Sequence, residues 1–311
     1  MNTKLRSEAT IGAIALFSGV GVHGGNKSTI KILPAPENLG IVFKRIDIVD
    51  KNPYISLSPE SVVECNLCTC IANNDGVTVS VVEHLLAAFR ITGITNALIE
   101  VNSDEIPIMD GSAIEFVNEI KKIGIVRQRP FVQGIVIKKE VVAEFQGGKI
   151  AIYPSKKCNV TVNLNYDRIN PIVGKYNKYM FDMSGDLSEL ACARTFGWVE
   201  DQELIRSRGF GLGASEKNTI GIGPGGTILN TGGLRNQAEF VMHKSLDLLG
   251  DLFVLGCDII GRIECLNPSH ALNNLLLKTL MMEIENHEMG AEQQERYDFM
   301  TEPYLLGANL V

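Results

Sequence analysis

Residues 239–251 read EFVMHKSLDLLGD, and this stretch decides how the rest of the chain is interpreted. Four polar side chains recur at every fourth position, namely Glu239, His243, Asp247 and Asp251. On an α-helix this spacing places them in one slowly rotating stripe. The residues between them are strongly apolar, so we expect a buried helix whose acidic stripe needs a partner such as a cation. The alternative is a solvated helix face with an incidental histidine.

A histidine and an aspartate four residues apart can bind one metal ion from a single helix face. A second helical segment begins with the pair Glu83-His84 in the first half of the chain. A hydrolytic zinc takes three protein ligands and leaves its fourth position to water. His84, His243 and Asp247 complete such a set, and Glu83 is then placed to take a proton from that water. For a Glu-His pair alone, an ordinary helix start is the alternative.

A further histidine, His270, lies where another helix is predicted to begin, in SHALNN at residues 269–274. A histidine there can protonate a leaving amine if an acid such as Asp251 fixes its tautomer and supports its charged form. The alternative is helix capping by Ser269 beside a passive histidine.

Two other motifs carry weaker signals. Cys65, Cys68 and Cys70 begin like a zinc ribbon, but no second Cys-x-x-Cys follows, so we expect thiols in a strand or turn. The glycine-rich residues 221–233 lack the Lys-Ser/Thr of a phosphate-binding loop. A turn or hairpin is therefore the better interpretation.

Strand and helix patterns alternate in both halves, which predicts an α+β protein. Strands are predicted at 29–33, 40–43, 96–101, 134–137, 150–153 and 159–164. Helices are predicted at 82–91, 112–124, 238–255 and 271–287, the second with a capping box of Ser112 and Glu115 and with Gly124 as its terminator. The polar stretch 124–130 is interpreted as the crossing between the halves.

Composition narrows the class of protein. A length of 311 residues favours two domains. The net charge of −7 argues against nucleic acid as the partner. Seven cysteines is an odd number, which favours reduced thiols over a disulfide framework. No apolar run reaches the ~20 residues of a transmembrane segment, and the run 11–17 is interpreted as a first strand ending in a glycine turn rather than as a signal peptide.

Six motifs, taken in order, resemble the UDP-3-O-acyl-N-acetylglucosamine deacetylase family. They are VEHLLAA (82–88), IPIMDGS (106–112), ARTFG (193–197), GLR (233–235), EFVxHKxxDxxGD (239–251) and HALNN (270–274). Residues 19–25 (GVGVHGG) and 67–70 (LCTC) also look like this family, and the match covers about residues 5–285.

The resemblance implies a fold of two consecutive βααβ two-layer sandwich domains, with helical layers that face each other across the active site. The expected segments are an N-terminal domain at 1–126, a C-terminal domain at 127–290, an insert at about 197–226 that forms a passage for the acyl chain, and a tail at 291–311.

The resemblance also implies a role for each candidate residue. One catalytic zinc ion is expected on His84, His243 and Asp247, and iron(II) is an alternative occupant of such a site. Glu83 matches the general base and His270 the general acid, with Asp251 supporting it. Thr195 matches a hydroxyl that helps zinc to stabilise the oxyanion. Substrate-binding positions are assigned to Lys244, Phe196, Gly213 and Ser269.

The activity implied is removal of the N-acetyl group from a UDP-linked acylated amino-sugar, the committed step of lipid A biosynthesis. The expected setting is the cytoplasm of a Gram-negative bacterium, with the enzyme as a monomer. The sequence departs from the family at Ala238, at Met242 and at residues 267–269, where NPS replaces Lys-Ser-Gly; loss of that lysine is expected to weaken binding of the diphosphate.

Two alternatives stay open from the sequence. One is a zinc amidase for a different acylated amino-sugar, with the difference in the insert and at 267–269. The other is a zinc-stabilised, non-catalytic module that binds nucleotide-sugars. Such a module would keep its function after Glu83→Gln, whereas a hydrolase would lose most of its turnover.

Overall fold

The computed structural model describes residues 6–63, 67–132 and 134–285. Within them the chain is a mixed α+β structure with sheets and six α-helices, in agreement with the predicted class. Cys65 and the predicted tail at 291–311 lie outside the described residues.

The first half contains one five-stranded sheet and a smaller three-stranded one. The strands are β1 (Ser7–Ile11), β2 (Ala15–Val20), β3 (Lys27–Pro34), β4 (Ile41–Arg45), β5 (Tyr54–Ser56), β6 (Val62–Val63), β7 (Cys70–Ala72), β8 (Thr78–Ser80) and β9 (Ala97–Val101). The larger sheet has the order β2-β3-β9-β4-β5, and β4 and β9 run parallel.

The second half repeats the larger sheet and adds two two-stranded sheets, β11-β18 and β16-β17. Its strands are β10 (Ile125–Phe131), β11 (Gly134–Val136), β12 (Val141–Phe145), β13 (Gly148–Tyr153), β14 (Asn159–Asn163), β15 (Lys178–Asp182), β16 (Phe196–Trp198), β17 (Ile220–Ile222), β18 (Asp258–Ile260) and β19 (Arg262–Leu266). The five-stranded sheet has the order β12-β13-β19-β14-β15, with β14 and β19 parallel. In each sheet the last strand in sequence lies between the second and the third, so the two halves share one topology.

Six helices accompany these sheets. They are α1 (Glu83–Thr92), α2 (Ile114–Ile123), α3 (Asn170–Val173), α4 (Gln202–Ser207), α5 (Glu239–Phe253) and α6 (His270–Glu285). The four predicted helices correspond to α1, α2, α5 and α6, whereas the two short helices were not predicted. None of the helices in the described parts combines the length and apolarity that crossing a bilayer requires.

Three local predictions need correction. The capping box is wrong, because Ala113 is the N-cap of α2 and the Ser112 hydroxyl instead donates to Asp110 Oδ1 at 2.7 Å. The run 11–17 is not one strand: Gly12 separates β1 from β2 and donates its N–H to the Gly124 carbonyl at 2.8 Å. The polar crossing at 124–130 is itself largely a strand, since β10 pairs antiparallel with β1.

The contact between α1 and α5 joins the two halves of the chain. Gly250 makes it close, because a Cβ atom at this position would collide with the Glu83 carbonyl oxygen and lie 3.1 Å from the Ala87 nitrogen. A helix interior ordinarily disfavours glycine. The residue is therefore explained by the close approach of the two helices, which brings the polar residues of α5 to the start of α1.

Candidate active site

His84 on α1 and the pair His243 and Asp247 on α5 meet where these helices touch. Their ligand atoms all lie within 4.8 Å of one another, and all three side chains are buried. Asp247 Oδ1 is 3.5 Å from His84 Nε2 and 3.3 Å from His243 Nε2. The two imidazole rings cross nearly at right angles, at 82°, with centroids 5.1 Å apart. These three residues could hold one metal ion and are called the metal-binding group below.

The protonation of His243 supports a cation at this point. Its Nδ1 atom lies 3.0 Å from the Ala193 carbonyl oxygen, which can only accept, so Nδ1 carries the hydrogen. Burial lowers the pKa of His243 to about 3, which leaves Nε2 as a lone-pair acceptor. That lone pair faces Asp247 Oδ1, a buried oxygen without a hydrogen-bond partner among the described residues. A divalent cation between these acceptors removes the conflict.

The charge of Asp247 is supported from the other side. Lys244 Nζ donates to Asp247 Oδ2 at 2.8 Å. Burial by itself would raise the pKa of Asp247, but the neighbouring His243 and Lys244 hold it well below its ordinary value. Burial alone would likewise lower the pKa of Lys244, yet Asp247 raises it. The aspartate is therefore ionised and the lysine charged, as a metal ligand and its cationic neighbour should be.

Glu83 lies one residue before His84 and is 3% exposed. Its Oε2 atom accepts the backbone N–H of Thr69 at 3.0 Å. Burial raises the pKa of Glu83, and this is only partly opposed by the charges of His270 and His84. A carboxylate with a raised pKa, placed beside a metal-binding group, has the properties of a general base.

His270 begins α6 and faces Glu83, with His270 Nε2 3.8 Å from Glu83 Oε1. Asp251 holds the other ring nitrogen, since its Oδ2 atom is 2.9 Å from His270 Nδ1. Although burial alone would lower it, the negative charges of Asp251 and Glu83 raise the pKa of His270 to about 9. The imidazole is therefore protonated at neutral pH, which is the state a general acid requires.

Thr195 and Phe196 border the same site from the second half. Thr195 is half-buried, and its backbone is fixed by hydrogen bonds of 2.8 Å to Gly111 and to Ile220. Phe196 packs edge-to-face on Phe240 at 4.7 Å between centroids and lies 6.1 Å from the His243 ring. Phe196 also lines the cavity described below.

Two of the predicted substrate-binding residues, Ser269 and Gly213, also make contacts that stabilise the fold. Ser269 lines the cavity, and its hydroxyl accepts the Leu272 N–H at 3.2 Å, so it also caps α6. Gly213 packs its backbone on the first half, donating to the Val22 carbonyl at 3.1 Å, and a Cβ atom there would collide with Gly21. Its close neighbours Gly211 and Ala214 line the cavity.

The departure at 267–269 also has a structural explanation. Asn267 adopts a positive φ of 50° and exchanges two hydrogen bonds with the Asn165 backbone, at 2.6 and 2.9 Å. Both ends of its amide are thus engaged with the protein, although the residue borders the cavity. Asn267 therefore fixes the turn before α6.

One cavity of about 800 Å³ is lined by the metal-binding group, Glu83 and His270. The predicted insert supplies much of its apolar wall, with Trp198, Val199, Ile205, Ala214 and Gly221. The glycine-rich stretch forms a turn as expected, because Gly223 donates to the Thr227 carbonyl at 2.8 Å and Ile222 bridges Ile228. Cys68 and Cys70 are buried beside and within β7, in agreement with thiols in a strand or turn.

The acidic stripe of α5 divides into three parts. His243 and Asp247 join the metal-binding group, and Asp251 holds His270. Glu239 is not part of that group and instead forms a buried ion pair with Arg194 at 2.8 Å. Sequence reasoning also missed two partners of Asp251, Thr69 and Asn273, which had appeared only inside family-like motifs.

An α+β protein with a buried His-His-Asp group, an adjacent carboxylate and a charged imidazole on one cavity belongs to the class of proteins with a candidate catalytic metal centre. Comparison with known proteins gives the family. The family model for UDP-3-O-acyl N-acetylglycosamine deacetylase (LpxC) matches residues 8–282, so the chain belongs to this family.

Individual relatives have the corresponding name, and this chain matches nearly their whole length. The UDP-3-O-acyl-N-acetylglucosamine deacetylase of Shewanella violacea is 36% identical over 294 residues, which is 93% of this chain and 94% of that protein. The protein of the same name from Phenylobacterium zucineum is 39% identical over 271 residues, or 87% of this chain and 92% of that protein.

Proposed function

We propose that this chain hydrolyses the N-acetyl group of UDP-3-O-acyl-N-acetylglucosamine, giving UDP-3-O-acyl-glucosamine and acetate, as the committed step of lipid A biosynthesis. The observation that supports the proposal is that Glu83 and His270, with Oε1 and Nε2 3.8 Å apart, line the same cavity as the His84, His243 and Asp247 group. A general base, a general acid and a metal-binding group around one cavity are what amide hydrolysis requires.

One zinc ion on His84, His243 and Asp247 would supply a polarised water and an electrophile for the acetamide oxygen. Iron(II) fits the same donor set, because imidazole and carboxylate accept both metals. The buried unpartnered Asp247 Oδ1 and the inward lone pair of His243 support such a site.

The protein side chains then move two protons. Glu83 accepts a proton from the attacking water as the oxygen bonds to the acetyl carbon. The Thr195 hydroxyl donates to the oxygen that becomes negative, and the Lys244 charge lies close by. His270 delivers a proton from Nε2 to the amine nitrogen as the C–N bond breaks. Acetate and the free amine leave. The oxygen of the water is then in acetate, and the amine nitrogen has gained a proton.

Substrate recognition is proposed at Lys244, Phe196, Gly213 and Ser269, with the insert at 197–226 as the passage for the acyl chain. Its apolar wall supports this assignment. We propose domains at 1–126 and 127–290, each a βααβ sandwich; the shared strand order of the two large sheets and the contact of α1 with α5 support this division. The proposed setting is a monomer in the cytoplasm of a Gram-negative bacterium.

The reaction is tested by incubating zinc-loaded protein with UDP-3-O-acyl-N-acetylglucosamine and following products by mass spectrometry. The proposal expects loss of one acetyl group, one equivalent of acetate and an intact 3-O-acyl ester. The matched control is the same sugar without the 3-O-acyl chain, which should react more slowly because the apolar wall has nothing to bind. Cleavage of the ester, or turnover only with a different acylated amino-sugar, would overturn it.

A further inference from the structure

Thr69 connects the proposed base with the proposed acid, although it has no assigned role. It precedes β7 and is 5% exposed. Its backbone N–H donates to Glu83 Oε2 at 3.0 Å, and its hydroxyl lies 2.5 Å from Asp251 Oδ1 and 3.3 Å from His270 Nδ1. One residue of the first half thus contacts three functional side chains, two of which belong to the second half.

The direction of each hydrogen bond follows from what the groups can do. The Asp251 carboxylate oxygens accept, so the Thr69 hydroxyl gives its one hydrogen to Oδ1. Asn273 Nδ2 donates to Asp251 Oδ2 at 2.9 Å, and His270 Nδ1 donates to the same oxygen, also at 2.9 Å. With its hydrogen committed, Thr69 can only accept from His270. Both oxygens of Asp251 are thereby fixed, and the ring nitrogen that faces Glu83 is Nε2.

We propose that Thr69 is a positioning residue. Its hydroxyl fixes the orientation of the Asp251 carboxylate, which in turn holds the His270 ring with Nε2 facing Glu83 Oε1. This inference rests on the proposed function, since it assumes that His270 acts as the acid. Without the Thr69 hydroxyl, Asn273 and His270 hold only Oδ2, so the carboxylate gains freedom to rotate about its own axis. The His270 ring then loses its fixed direction.

A purely structural role makes a different prediction. Thr69 also fastens its strand to α1, because its carbonyl accepts the Val82 N–H at 3.3 Å and its N–H binds Glu83. Both are backbone groups that Thr69→Val retains. This substitution keeps the β-branched shape and removes only the hydroxyl, so it separates positioning from packing. Thr69→Ser restores the hydroxyl on the same backbone.

The experiment measures steady-state kinetics and zinc content for zinc-loaded wild type, Thr69→Val and Thr69→Ser. We expect Thr69→Val to lower kcat on the order of 10- to 100-fold with KM unchanged within about twofold, by analogy with groups that orient a catalytic histidine. Thr69→Ser should recover most of kcat. The matched control is Thr92→Val, which removes a buried hydroxyl bonded to the Ala88 carbonyl at 2.7 Å on the far end of α1. It should lower the melting temperature and leave kcat unchanged.

A double-mutant cycle tests the route of the effect. If Thr69 acts through His270, Thr69→Val should cost less than about threefold in kcat when His270 is already alanine, because coupled residues are non-additive. Equal losses in both backgrounds, or a loss confined to KM, would overturn the proposal.

A second readout needs no substrate. In ¹H–¹⁵N spectra of histidine side chains, assigned with His270→Ala, the His270 Nδ1 proton should be protected from exchange with water in wild type and in Thr69→Ser. In Thr69→Val it should broaden through faster exchange. An unchanged signal would overturn the positioning role whatever the turnover. If wild type shows the protected proton but no deacetylation, the proposed function fails while the hydrogen-bond arrangement stands.

Discussion

His243 Nε2 faces Asp247 Oδ1 at 3.3 Å, and both atoms are hydrogen-bond acceptors in the state that the surrounding protein imposes. The contact with Ala193 fixes the tautomer of the histidine, and Lys244 keeps the aspartate ionised. A cation between two buried acceptors at this distance would satisfy both of them. The hydrogen-bond arrangement of the protein itself is therefore the strongest structural argument for a metal ion.

Asp247 should be required for tight zinc binding. Asp247→Asn replaces a charged ligand by a neutral amide, so we expect zinc affinity to fall by more than about 100-fold. Competition with a chromophoric chelator measures it. The control is His270→Gln, which lies across the cavity and should still hold one zinc per chain. Retention of wild-type affinity in Asp247→Asn would show that the ion, if bound, lies elsewhere.

The pH dependence of turnover should report His270. Its pKa of about 9 lies above the ordinary value of 6.5, so the acid form is present below about pH 9 and is lost as the pH rises through it. We expect kcat/KM to fall on the alkaline side near this value. In Asp251→Asn the largest raising charge is gone, so the alkaline limb should move to lower pH. An alkaline limb that stays in place in this variant would contradict the assignment of His270 as the acid.

Gly250 tests the helix contact that assembles the site. Glycine to alanine inside a helix is ordinarily favourable by up to ~1 kcal/mol. Here the added Cβ atom meets the Glu83 backbone, so Gly250→Ala should instead reduce the free energy of unfolding by about 1–3 kcal/mol and lower turnover by shifting α1. Urea denaturation and kinetics measure the two effects. Gly232→Ala, at an exposed position with open space around it, is the control and should be neutral in both.

Glu239 should behave differently from the other members of its stripe. Its carboxylate binds the Arg194 guanidinium and the Arg235 backbone N–H, and Glu239 is fully buried. Glu239→Gln leaves the Arg194 charge unpaired, so we expect a loss of about 3–5 kcal/mol in the free energy of unfolding. At a temperature where the variant is folded, its zinc stoichiometry should stay at one. Selective loss of zinc without loss of stability would place Glu239 at the metal instead.

The polar stripe of α5 shows which parts of the site could be predicted from sequence periodicity. Spacing by four residues predicted that His243, Asp247 and Asp251 would share a face; His243 and Asp247 line the cavity, and Asp251 holds His270, which lines it too. It also included Glu239, which points elsewhere. An ideal helix turns 3.6 residues per revolution, so a spacing of four drifts by about 40° each step and by about 120° over the stripe. Glu239 therefore lies about 80° around the helix from Asp247, whereas His243 and Asp251 each lie about 40° from it.

Contacts between distant parts of the chain were harder to predict. Thr69 and Asp251 are 182 residues apart, and a lone threonine in a cysteine-containing turn carries no periodic signal. The approach of α1 to α5 depends on Gly250, which in sequence looks only like a weak helix position. The repeated strand order of the two large sheets could not be read from the strand patterns, because sheet order is set by long-range pairing.

A single titration tests whether hydrolysis requires a metal ion on His84, His243 and Asp247 with Glu83 as the base. Protein stripped of metal is mixed with UDP-3-O-acyl-N-acetylglucosamine, and amine release is followed as zinc is added to wild type and to Glu83→Gln. We predict that turnover of the wild type appears and saturates near one equivalent of zinc, while Glu83→Gln binds the same equivalent and loses most of its turnover. Full turnover in the stripped protein would show that the reaction does not need the metal, and full turnover in zinc-loaded Glu83→Gln would show that Glu83 is not the base.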